Sequence, residues 1–116
     1  MNREGFYQIA FSGVADSGFG ILVFDTGAIV GVDVGGVTYD GTYSYNQRSD
    51  EIDASIDVWV PPGVPLVQGA RPTTDSFRFV LQASLPRDLG KEKPVRVETP
   101  LGPVNVVFKK LRDFPN

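Results

Sequence analysis

The side chains in this sequence able to act as acid, base or ligand are almost all oxygens. Its 116 residues include no His and no Cys. That excludes thiolate and imidazole metal ligands, Cys or His nucleophiles and bases, and every Ser-His-Asp arrangement. The densest group of candidates is the carboxylate run Asp50, Glu51, Asp53 and Asp57. Two carboxylates suffice in principle for glycoside hydrolysis. Here they fall at a hairpin tip and along the wet side of a strand, where no burial raises a pKa for general-acid work. Nor does their spacing fit the D-x-[DN]-x-[DN]-G pattern of a calcium loop. Gly13, Gly18 and Gly20 resemble a phosphate-binding loop only superficially, because no helix and no Lys-Ser/Thr pair follows, and they are read as turn glycines. The expectation is a protein that is not an enzyme and that carries no metal and no cofactor.

Charge constrains the partners. Eleven Lys and Arg against fourteen Asp and Glu give a net charge of -3, which argues against direct nucleic-acid binding, since that draws its affinity from phosphate neutralisation. The signs are unevenly distributed. Residues 1–60 hold two basic groups, Arg3 and Arg48, against nine acidic ones, whereas residues 61–116 hold nine basic against five acidic. In a compact barrel this gives either an acidic wall and a basic wall suited to docking a basic partner or a second copy, or simply solvated outer faces. The start, MNREGFYQIAF, has no long apolar run behind a basic segment, so neither a signal peptide nor a membrane span is expected and the default address is the cytoplasm. The absence of Cys fits a reducing compartment.

The elements that position these groups alternate at period two, and no amphipathic helical stretch is found. Phe6 to Val14 puts Tyr7, Ile9 and Phe11 on one face. Gly20 to Asp25 is nearly all apolar, and Asp25-Thr26-Gly27 makes a tight turn into Ala28 to Val34, whose even positions form the apolar row. Val37 to Tyr45 aligns Tyr39, Gly41, Tyr43 and Tyr45, and a polar tip follows at 46–51. In the fifth run Ile52, Ala54, Ile56, Val58 and Val60 face inward while Asp53, Ser55, Asp57 and Trp59 face out. Pro61, Pro62, Pro65 and Pro72 forbid a central strand over 60–72, which reads as an ordered loop covering one end. Phe77 to Ala83 is a sixth strand, Leu85 to Lys93 a polar loop with room for one helical turn, and Val95 to Glu98 and Val104 to Leu111 complete the set. Eight such runs joined mostly by short turns predict a single all-β domain over residues 1–116, an eight-stranded up-and-down antiparallel barrel whose closure removes exposed edges.

A barrel of eight strands is either filled by side chains or just wide enough for one small ligand. If it holds an apolar ligand, the residues expected around it are Tyr7, Ile9, Phe11, Tyr43, Phe77 and Phe79; otherwise these aromatics are core and cross-strand pairs. Trp59 falls in register with Asp53 and Asp57 on the wet side. It is either covered by the proline-rich loop or part of an exposed interaction patch, and is read as an interface contact because Trp is enriched at binding hot spots.

Three stretches carry a resemblance to a known family: G-F-Y-Q-I-A-F at 5–11, G-F-G-I-L-V-F-D-T-G-A-I-V-G-V-D-V-G-G at 18–36, and Y-D-G-T-Y-S-Y at 39–45. Over about the first 65 residues the chain resembles the GrlR-like negative regulators of type III secretion gene expression. The ending T-P-L-G-P-V-N-V-V-F-K-K-L-R-D at 99–113 resembles uncharacterised bacterial members of that group. The resemblance implies a lipocalin-like barrel that forms a homodimer in the bacterial cytoplasm and acts by protein binding, restraining a helix-turn-helix transcriptional activator. It also implies an acidic surface run after the Y-x-G strand as the partner-binding feature. The matching positions here are Asp50, Glu51 and Asp53, with Arg48 interrupting the acidic run, and Asp57 and Trp59 extend the same strand face. A small apolar ligand or lipid in the barrel interior is the second reading.

Overall fold

The computed structural model describes residues 3–69 and 73–115. Eight strands follow one another: β1 (Gly5–Ser12), β2 (Ser17–Asp25), β3 (Ala28–Asp33), β4 (Thr38–Asn46), β5 (Glu51–Val60), β6 (Phe77–Pro86), β7 (Pro94–Thr99) and β8 (Gly102–Arg112). They form one antiparallel sheet in the order β6-β5-β4-β3-β2-β1-β8-β7. The sheet curls until β6 and β7 touch, with no hydrogen-bonded ladder between them. The expected up-and-down barrel is therefore what the chain forms. Among the described residues no helix is long and apolar enough to cross a membrane.

The turns follow from local chemistry. Thr26 and Gly27 both take positive φ, 48° and 85°, as a two-residue type I′ hairpin turn requires, and its twist matches the flanking strands. Asp25 consequently lies opposite Ala28, which sets the β2–β3 register. At the next connection Asp33 acts as an Asx-type organiser. Its carboxylate accepts hydrogen bonds from the Gly35 and Val37 amides at 2.8 and 3.2 Å and from the Tyr39 hydroxyl at 2.8 Å.

Inside, the core is contributed by every strand. Ile9, Leu22, Phe24, Ile29, Ile56, Val97 and Phe108 are buried together, and β5 supplies the cleanest alternation, with Ile52, Ala54, Ile56, Val58 and Val60 all inward. Two details go beyond or against the sequence reading. In β3 the even positions do form an apolar row, but that row is not the one in the core: Val30 and Val32 are exposed while Ile29 is buried. The register fixed by the turn places Ile29 beside Phe24 and Gly41. It also brings Gly31 so close to the Leu22 side chain and the Ile21 carbonyl that a Cβ would collide with both. The apolar row of β3 therefore forms part of the outer surface. The expectation of a helical turn within 85–93 is corrected, because none forms there. Leu85 still belongs to β6 and Leu89 lies in the following turn, and both are buried in the core.

Candidate functional site

Two regions of the molecule have the geometry of a site, one inside the barrel and one on its outer wall. Inside lies a cavity of about 420 Å³. Its wall is largely apolar: Ile9 and Phe11 of β1, Leu22 of β2, Val58 of β5, Phe79 and Leu81 of β6, Val104 and Phe108 of β8. Val64, Pro65, Leu66, Val67 and Gln68 cover its mouth as a strap. That is the segment the prolines remove from the sheet; the expected loop continued through Pro72, and 70–72 lie outside the described residues.

The strap is anchored by a few specific contacts. The Ala15 amide donates to the Val67 carbonyl at 2.9 Å, and the Gln68 side-chain amide donates to the Thr99 hydroxyl at 3.2 Å. Gly13 permits this approach, because a Cβ there would collide with the Val67 carbonyl. A small set of polar groups rims the cavity, namely Asp16, Ser17, Asp33, Tyr39, Gln68 and Thr99. Burial, together with the Asp33 carboxylate it is hydrogen-bonded to, pushes the Tyr39 hydroxyl far above its ordinary value. Tyr39 is consequently a neutral hydrogen-bond donor under all ordinary conditions. A mostly apolar chamber of several hundred cubic ångströms with a few polar groups at its mouth is the form of a small-molecule site.

Of the six residues expected around such a cavity, Ile9, Phe11 and Phe79 line it. Tyr7 and Tyr43 instead pack around Phe24, with ring centroids 5.1 and 5.0 Å from it, and fill the opposite end of the barrel. Phe77 stacks on Phe79 at 6.4 Å without reaching the chamber. Burial pushes the Tyr7 hydroxyl up to about 12, and its proton is held by the Arg3 carbonyl at 2.7 Å. The wall contributions of Leu22, Leu81 and Val104 were not anticipated. Their inward alternation is legible in the sequence, but their height along the barrel axis depends on strand stagger.

On the outer wall, β5 presents Glu51, Asp53, Asp57 and Trp59 along one edge-to-edge row of outward positions. Asp50 stands apart, in the turn with positive φ. Its carboxylate accepts a hydrogen bond from the Tyr45 hydroxyl and is 3.5 Å from Arg87. Arg3 lies over the Tyr45 ring at 4.3 Å. The hairpin tip is thereby partly neutralised by the chain itself. Asp53 accepts a hydrogen bond from the Asn46 side chain at 3.1 Å.

Asp57 lies directly opposite Asp40 of β4, and among the described residues no ion pair engages either. Like charges directly opposite on adjacent strands are unfavourable, so this pair is a place where an external cation would be stabilising. Asp40 was missed in the sequence reading. Counting back along the hairpin from Asn46 opposite Glu51 would have found it. Trp59 is half-buried, between Thr38 and Arg78 in the ladder. Among the described residues no three carboxylates are grouped to hold a metal ion.

A scan against protein-family models and a search of curated proteins both returned no match for this chain.

Proposed function

We propose that this chain is a non-enzymatic regulatory protein of the bacterial cytoplasm that binds and restrains a protein partner, a helix-turn-helix transcriptional activator of the kind the GrlR-like resemblance implies. The observation that carries this reading is the outer face of β5, where Asp57 stands opposite Asp40 with no ion-pair partner among the described residues, on the same strand face as Asp53 and Trp59. Such a face attracts a basic DNA-reading surface by electrostatic complementarity, and Trp59 supplies the apolar contact that long-range attraction lacks. The docking centre moves from the hairpin tip to mid-strand, because Asp50 is already engaged by Tyr45 and Arg87.

The test is native mass spectrometry of the tagged protein purified gently from its own host. A complex containing a DNA-binding regulator is expected, and Asp53→Lys with Asp57→Lys should abolish it while leaving the melting temperature unchanged. Retention of the regulator by that double variant would remove the acidic face from the reading.

The cavity supports a second activity, the binding of one small apolar molecule under the strap. An apolar fluorescent probe such as N-phenyl-1-naphthylamine should bind with a blue-shifted emission. Ala83→Phe, which fills the chamber from β6, should lower the affinity at least about tenfold, or about 1.4 kcal/mol. Equal probe binding by wild type and variant would sink it.

A further inference from the structure

The volume and wall of the cavity describe the body of a ligand, and its mouth describes the head. At the volume per molecule of liquid water, about 420 Å³ gives room for about fourteen non-hydrogen atoms. The charged groups are at the rim, and both are carboxylates: Asp16 in the β1–β2 turn and Asp33 at the end of β3. Among the described residues no Lys or Arg lines the chamber, and no ion pair engages either carboxylate.

Asp33 is the more informative of the two. It follows Ile29 and Gly31 in the inward row of β3, so its side chain stands at the inner edge of the mouth rather than on the outer wall. Three donors fix it there. The Gly35 and Val37 amides share Oδ1, and the Tyr39 hydroxyl donates to Oδ2 at 2.8 Å. Among the described residues Oδ2 has no other partner, and a carboxylate oxygen can accept a second bond.

The neighbouring hydroxyls cannot answer an anion, because each has one proton to donate. Tyr39 spends its proton on Asp33, and Thr99 donates its own to the Gly102 carbonyl at 2.6 Å. Of the described side chains at the mouth, Ser17 and the Gln68 amide retain a hydrogen to give, against open acceptor sites on Asp16, Asp33 and Gln68. The mouth accepts hydrogen bonds and faces positive charge.

We propose that the chamber takes a small apolar molecule carrying a protonated amine, its body under the strap and its ammonium group on Asp33. The proposal rests on the reading of the cavity as a ligand site and adds the chemistry of the head group. An alkylamine is protonated at neutral pH, as the lysine side chain is. Its ammonium offers three donors and no acceptor, the complement of this rim, and a charge-assisted hydrogen bond is stronger than a neutral one. A fatty-acid carboxylate of the same size would lose hydration at the mouth and meet like charge there, both unfavourable.

The test is calorimetric titration of the purified protein at neutral pH with decylamine, decanol and decanoate, which share one apolar body and differ in the head. Decylamine should bind tightest and decanoate weakest, with at least about tenfold between them. Asp33→Asn keeps an oxygen for the Gly35 and Val37 amides; it should cost decylamine about tenfold and leave decanol nearly unchanged. Glu92→Gln removes the same charge from an exposed position in the loop between β6 and β7, at the other end of the barrel, and should change none of the three.

Decanoate binding as tightly as decylamine would overturn the head group and leave the chamber reading standing. So would a preference for the amine that survives Asp33→Asn, or one that Glu92→Gln abolishes equally. Absence of binding by all three would overturn the chamber reading as well, so the two failures are told apart.

Discussion

At the end of the barrel where the Thr26-Gly27 turn lies, the rings of Tyr7, Phe24 and Tyr43 meet at centroid distances of 5.1 and 5.0 Å, and Phe24 and Ile52 have no exposed surface. At the other end the same eight strands enclose about 420 Å³ under a strap held by a handful of contacts. The first end is packed as a protein interior should be. The second gives up those dispersion contacts and keeps the space. The comparison teaches a division of labour along one axis. Stability resides where aromatic rings close the barrel, and binding capacity resides where they are withheld. A site that must admit a molecule belongs at the end that opens at low cost.

The largest effect should come from emptying the packed end. Phe24→Ala is expected to cost about 3–5 kcal/mol in denaturant melts, from lost transfer energy plus the cavity left behind. Phe79→Ala, whose ring already borders empty space, should cost well under half as much. Equal losses would break the distinction between the ends.

Smaller is the effect of Gly13→Ala. The new Cβ meets the Val67 carbonyl, so the strap must shift. Stability should fall by about 1 kcal/mol, and release of a bound apolar probe in stopped flow should accelerate several-fold. An unchanged release rate would mean that the strap does not guard the chamber.

The smallest effect sharpens the comparison through pH. The Tyr7 pKa is raised to about 12 by burial at the closed end, then by Asp113 and Tyr43, with Arg3 opposing. The folded state thus favours the neutral phenol. Its contribution is fully present below pH 10 and is lost as pH rises from 10 through 12. Tyr7→Phe should be less stable than wild type at pH 7 by about 1 kcal/mol, because the hydrogen bond to the Arg3 carbonyl is gone. The difference should narrow above pH 10, where the variant has no such proton to lose. A gap that widens with pH would contradict the direction of the Tyr7 shift.

Much of this architecture is written in local alternation. The inward row of β5 and its acidic outward row follow directly from the residues, as does the exclusion of 61–65 from the sheet by three prolines. The outward position of Trp59 is legible for the same reason. The cavity was only half legible. Ile9, Phe11 and Phe79 are at its wall while Tyr7 and Tyr43 are at the far end, since alternation says which side a residue faces and nothing of its height. Asp50 looked like the tip of an acidic run and proved to be engaged by Tyr45 and Arg87, the latter reached only because β6 lies beside β5.

The sequence by itself determined the fold class, the turn at Thr26-Gly27 and the sidedness of strands in which one face is apolar and the other polar, because these depend on neighbours one or two residues away. It excluded His and Cys chemistry by composition. The tertiary structure alone decided which face of β2 and β3 points inward, because both faces there are apolar and periodicity cannot choose between them. Phe24, Gly31 and Gly41 make that choice by packing from adjacent strands. The depth of the cavity and the facing pair Asp40 and Asp57 were likewise decided by strand register, a relation between segments distant in sequence.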